Sequence, residues 1–226
     1  MNMLSTIGLD TPHTLLRTKK AFIFDLDGVL VDTARFHYQA WKRLANSLGF
    51  DFTLQQNEKL KGVSRMQSLE YLLDWGGVQE TVSGKEQLAT QKNSWYLELV
   101  DGMTHWDILP GALDLLEYAR AHRIKMALGS ASKNARLILD RTGMTPFFDA
   151  VIDGNAVTES KPHPEVFAKA AVALDTAPED CLVFEDAQAG VEAAKAAGMQ
   201  VVGIGKAGDL RGADWVIGGL MDLKMC

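Results

Sequence analysis

Six short apolar runs, at 21–24, 124–128, 150–152, 182–184, 200–204 and 215–217, constrain the fold more than any other feature of this chain. Each is continuous rather than alternating, the pattern of a strand covered on both faces. Helical patterns over 112–121, 135–141, 164–174 and 188–197 separate the later runs. Pro110-Gly111 opens the first of these, and Gly143 and Gly198 close two others. Strands alternating with helices predict an α/β fold, a Rossmann-like parallel sheet core with helices on both faces.

One stretch departs from that rhythm. From 34 to 107 the pattern is helical only. Phe36, Ala40, Trp41, Leu44 and Leu48 keep helical spacing up to Gly49. Ser64 reads as the N-cap of a second stripe, Met66, Leu69, Leu72 and Leu73, closed by Gly76-Gly77. Ser83-Gly84-Lys85-Glu86 has capping-box spacing ahead of Leu88, Trp95 and Leu99. The expectation is an inserted all-helical cap domain over 34–107 and a core built from 20–33 and 108–226. Residues 1–19 read as a leader without periodicity. The insertion leaves the first strand at its carboxyl end, where open α/β sheets bind ligands, so it is expected to act as a lid.

Composition narrows the function classes. Lys and Arg total 23 against 29 Asp and Glu, a net charge of −6. That balance, without a basic block, argues against nucleic acid or an anionic membrane as partner. No run approaches the roughly 20 apolar residues of a membrane span, and no apolar signal-peptide segment opens the chain. Two cysteines, Cys181 and Cys226, exclude a disulfide framework. A cytoplasmic monomer acting on a small molecule is expected.

The chemistry-bearing residues sit at strand ends. Asp25 and Asp27 follow the first run and repel each other unless a cation or proton is shared; hard oxygen ligands at that density suit Mg²⁺, and a solvated Asp-Gly turn is the plain alternative. Ser130-Ala131-Ser132-Lys133-Asn134 is a hydroxyl-rich loop entering a helix, able to hold phosphate oxygens or merely to cap that helix. Lys161, before Pro162, supplies a point charge for a phosphoryl group or is a surface lysine in a Pro-rich turn. Glu185-Asp186 would complete a metal site or simply favour a helix N-terminus. Any one of these is ambiguous. Their coincidence at successive strand ends is specific.

These four ordered motifs, with Phe24-Asp25-Leu26-Asp27-Gly28-Val29-Leu30-Val31-Asp32-Thr33 as the first, resemble those of the haloacid dehalogenase superfamily over roughly residues 20–220. Asp32–Trp41, Leu60–Arg65, Lys92-Asn93 and Ser130–Asn134 are similar to its branch that moves a phosphoryl group between two hydroxyls of one sugar. The resemblance implies that Asp25 is the nucleophile and that Asp27 is general acid and base, with its backbone carbonyl on Mg²⁺. Asp186 would join Asp25 on that ion, with Glu185 as a ligand or acting through water. Ser130 and Lys161 would hold the transferring phosphoryl group, with a cis Lys161-Pro162 bond allowed. Ser132 and Asn134 would contact the sugar phosphate, in one loop with Ala131 and Lys133.

In the lid, the resemblance implies that Arg65 grips the non-transferring phosphate and that Gly62, Val63 and Ser64 shape the sugar pocket. His37 and Lys92 would hold Asp27 out of line until substrate arrives. Alone, His37 reads as a core-edge histidine and Arg65 as a helix-end cation. Trp41, carried among the substrate-side candidates, falls on a packing stripe. The implied reaction interconverts β-glucose 1-phosphate and glucose 6-phosphate through the 1,6-bisphosphate. A Mg²⁺-dependent sugar-phosphate phosphatase would share every core residue, and a silent phosphate-binding protein is the remaining class.

Overall fold

The computed structural model describes residues 12–206 and 208–223; residues 1–11 of the expected leader, and Cys226, lie outside them. Strands β1 (Ala21–Phe24), β2 (Lys125–Gly129), β3 (Ala150–Ile152), β4 (Cys181–Glu185), β5 (Gln200–Ile204) and β6 (Trp215–Ile217) form one sheet in the order β3-β2-β1-β4-β5-β6. All pairings are parallel, and β1 sits between β2 and β4, with Phe24 opposite both Leu128 and Phe184.

The continuous apolar runs have the expected cause. Along β1, Phe22 and Phe24 enter one hydrophobic cluster while Ala21 and Ile23 enter another on the opposite face. The first cluster includes residues of α6 (Ala112–Ala121) and α7 (Ala135–Thr142); the second includes those of α8 (Glu165–Ala173) and α9 (Gln188–Ala196). This is the α/β architecture expected from the sequence.

Between β1 and α6 lie α2 (Ala34–Ser47), α3 (Leu54–Glu58), α4 (Arg65–Gly76) and α5 (Val82–Val100). Residues of α2, α4 and α5, with Phe52 and Leu60 on either side of α3, share a cluster of their own around Trp41, Leu44, Phe52, Leu69 and Leu72. The chain leaves and re-enters the sheet side by side: Val31 bridges Ile108, and Leu109 N–H donates to the Leu30 carbonyl at 2.9 Å.

Three local readings change. Pro12–Thr18, expected without regular structure, forms helix α1, because Leu15 and Leu16 bury against the core. The cap of α5 is Thr81, whose hydroxyl accepts from Gly84 N–H, rather than Ser83 two residues on. Helix α3, five residues long, escaped the periodicity because it is too short to show any; a Thr53/Gln56 capping box sets it.

Candidate active site

Four adjacent strands deliver their carboxyl ends to one cleft. Asp25 follows β1, Ser130 follows β2, Lys161 lies in the loop after β3, and Glu185 and Asp186 end β4. Asp25 N–H donates to the Phe184 carbonyl at 3.0 Å, extending the ladder one residue into the site. The chain then turns at Gly28, whose φ of +83° suits glycine; a Cβ there would stand 2.2 Å from Asp186 Oδ2. The glycine of the Asp-Gly sequence therefore makes room for a carboxylate from the neighbouring strand.

Lys161 is the cation of this half. Its Nζ lies 2.6 Å from Asp25 Oδ1 and 2.9 Å from Glu185 Oε2, with all three side chains buried. Burial by itself would depress this ammonium, yet the pull of Asp25 and Glu185 outweighs it and raises the Lys161 pKa above its ordinary value. Burial and then Asp25 hold Glu185 well above the usual carboxylate range. Asp186 is pushed up to about 6 by burial and by Asp25, against the opposing pull of Lys61. The Lys161-Pro162 peptide is cis.

Oxygens of Asp25, Glu185 and Asp186 lie within 4.8 Å of one another. Three carboxylates this close, all hard oxygen donors and with Glu185 and Asp186 raised by burial and by Asp25, fit a divalent cation of the Mg²⁺ type. The Asp27 side chain stands apart from this triad. It accepts a short hydrogen bond from Thr33 Oγ1 and is pushed up to about 8, by burial first and then by Asp25 and Asp186. A carboxyl in that state holds its proton at neutral pH and is able to donate it.

The opposing wall comes from the helical segment. His37 on α2 and Lys92 on α5 place Nδ1 and Nζ 3.0 Å apart. Neither makes a hydrogen bond to Asp27, whose partner is Thr33, so the clamp expected of them is absent in this arrangement. Lys92 is 1% exposed, with its ammonium 4.4 Å from the Trp41 ring centroid and 4.8 Å from that of Tyr96. Burial and the nearby Arg65 bring Lys92 down to about 7, and burial and Lys92 hold His37 well below its ordinary value. Arg65 opens α4 and is lowered by burial. No carboxylate pairs with it among the described residues.

Most of the expected residues meet here. Asp25, Asp27, His37, Trp41, Gly62, Val63, Arg65, Lys92, Ser130, Ala131, Ser132, Lys133, Asn134 and Asp186 all line the one cleft. Ser130 Oγ accepts from Ser132 N–H at 3.1 Å and Ser132 Oγ from Asn134 N–H at 3.2 Å, which winds this loop around the end of β2. Glu185 lies beneath the floor, fully buried, and Lys161 joins it there through their ion pair. Ser64 caps α4 and faces the neighbouring grooves instead. Trp41 is both packing and wall.

Asn57, Lys61, Ser68 and Asn93 also line the cleft and carried no signal of their own. Lys61 and Asn93 lie inside stretches quoted for the resemblance, which was the available hint. Asn93 Oδ1 accepts from Asn134 Nδ2 at 2.9 Å, a direct bond between the helical segment and the strand-end loop.

The family model for haloacid dehalogenase-like hydrolases matches residues 22–204. A β-phosphoglucomutase of Bacillus subtilis is 42% identical over 208 residues, covering 91% of this chain and 92% of the relative. A phosphorylated carbohydrates phosphatase of Thermotoga maritima is 32% identical, covering 80% and 82%. Among solved structures, a β-phosphoglucomutase of Clostridium difficile superposes with a TM-score of 0.88 at 42% identity, covering 91% of this chain and 93% of that one.

Proposed function

The chain belongs to the haloacid dehalogenase-like hydrolase family, and on that premise we propose that it is a β-phosphoglucomutase. It would interconvert β-D-glucose 1-phosphate and glucose 6-phosphate through an aspartyl-phosphate enzyme and the 1,6-bisphosphate. The observation that carries this reading is Arg65. A mutase must bind one bisphosphorylated sugar in two orientations, so it needs two anion sites; a phosphatase needs one. Arg65 lies across the cleft from Asp25, without a carboxylate partner among the described residues, and a guanidinium suits bidentate phosphate recognition.

Asp25 attacks the phosphoryl group in line, giving an acyl phosphate that splits the transfer into two steps. Asp27, holding its proton, donates to the departing sugar oxygen and takes a proton back from the attacking hydroxyl. Ser130 and Lys161 hold the phosphoryl oxygens while Arg65 fixes the other end of the sugar. Asp25, Glu185, Asp186 and the Asp27 backbone carbonyl would hold Mg²⁺, which supplies charge neutralisation between the nucleophile and the phosphoryl oxygens. We read 20–33 and 108–226 as the core and 34–107 as the lid, after a leader of 1–19. Water reaching the acyl phosphate gives hydrolysis, so lid closure decides between mutase and phosphatase.

The acidic net charge supports a small-molecule substrate rather than nucleic acid, and two cysteines without a disulfide framework suit a cytoplasmic protein. No helix among the described residues is long and apolar enough to cross a membrane. The test incubates the protein with Mg²⁺, β-glucose 1-phosphate and a trace of glucose 1,6-bisphosphate, following glucose 6-phosphate and free phosphate together. Glucose 6-phosphate without matching phosphate release is the expected result. Phosphate release without isomerisation would make the protein a phosphatase and remove the lid assignment while leaving Asp25 in place.

A further inference from the structure

The loop between α3 and α4 touches the carboxylate triad through a single cation. Lys61 Nζ lies 3.3 Å from Asp186 Oδ2 and 3.0 Å from Glu58 Oε2, so one ammonium joins the helical segment to a metal-ligating carboxylate of the sheet. Burial would depress this ammonium, but Asp186 and then Glu58 outweigh it and keep Lys61 raised. The backbone is set for the contact. Leu60 N–H donates to Asn57 at 3.0 Å, and Gly62 follows at φ +70°, close enough to the sheet that a Cβ would meet Ala187 Cβ at 3.2 Å. Asp186 is 8% exposed and Lys61 30%, so the pair is more shielded than an ordinary surface bridge.

We propose that Lys61 is a displaceable counter-ion for Asp186: it occupies the charge demand of the triad without metal and is driven off it when a divalent cation binds, releasing the 59–64 loop. A divalent cation among Asp25, Glu185 and Asp186 satisfies Asp186 and repels an ammonium beside it. Lys61 then retains Glu58, which stays with it on the helical side. Metal occupancy and loop position are therefore linked, and the linkage is reciprocal. The idea rests on the metal reading of the triad and is independent of which sugar is the substrate.

Titration calorimetry of Mg²⁺ into the substrate-free protein tests it. Lys61→Gln is expected to tighten Mg²⁺ binding about three- to tenfold, because the competing cation is gone. Glu58→Gln is expected to weaken it by about twofold, because Lys61 then leans on Asp186 alone. In wild type, Mg²⁺ should speed amide hydrogen exchange of residues 60–64 several-fold, and in Lys61→Gln that response should vanish. An affinity in Lys61→Gln that is unchanged or weaker overturns the proposal, as does exchange in wild type that ignores Mg²⁺. Absence of Mg²⁺ binding in every variant would remove the metal reading along with it.

Discussion

Two buried lysines, Lys161 beneath the floor of the cleft and Lys92 in its helical wall, stand in opposite states. Lys161, on the sheet side, sits between Asp25 and Glu185 and is held charged; Lys92, on the helical side, has His37 and two aromatic rings around it and falls to about 7. Both are almost fully buried, so burial does not separate them. Partners do. The sheet side carries more carboxylate than its one lysine compensates and asks for a further cation. The helical side brings Arg65 and Lys92 together without a carboxylate and asks for an anion. A phosphorylated sugar and a divalent cation would answer the two demands together.

The contrast breaks most severely at Lys161. Lys161→Met leaves Asp25 and Glu185 buried without a counter-charge and should cost about 3–5 kcal/mol of stability in metal-free buffer, read by urea unfolding in EDTA. Glu185 has a raised pKa in the folded state, so that state binds the extra proton. The deficit should therefore shrink as pH falls and Glu185 protonates. A deficit independent of pH would mean that the carboxylates are not the source of the cost.

Arg65→Ala attacks the other side. Isomerisation should fall by about 10²–10³-fold, while hydrolysis of a small aryl phosphate, which never reaches the second anion site, loses far less. Parallel losses of both activities would contradict the two-site argument.

The smallest expected effect sharpens the comparison by removing an uncompensated charge. Lys92→Met should stabilise the substrate-free protein by about 1–3 kcal/mol at pH 7. Between pH 7 and the ordinary lysine pKa of about 10.4 the unfolded chain holds this proton and the folded protein does not, so wild-type stability climbs with pH across that window. The advantage of Lys92→Met should therefore narrow toward pH 10. A thermal-melt series in pH reads this directly, and an advantage that stays constant would place Lys92 among ordinary charged lysines.

Much of the architecture was legible because its signals are local. Phe22 and Ile23 are adjacent apolar residues facing opposite clusters, which only a doubly covered strand requires. Ser64 and Gly77 bracket α4 within a dozen or so positions, and both cap it as their chemistry dictates. Where signals were short or shared they misled: α3 had no period to show, and Thr81 stood close enough to Ser83 for either to serve as a cap.

What the sequence by itself determined is the set of strand ends and the reactive groups placed on them: Asp25, Ser130, Lys161 and Glu185-Asp186, in that order. Periodicity, caps and turn residues act over a few positions, so they can be read from neighbours. Charge compensation acts through space. Lys161 reaches Asp25 across 136 positions, Lys92 meets His37 across 55, and Lys61, between α3 and α4, meets Asp186 at the end of β4. Whether a buried lysine is held charged or nearly neutral depends on those partners, and only the tertiary structure supplies them.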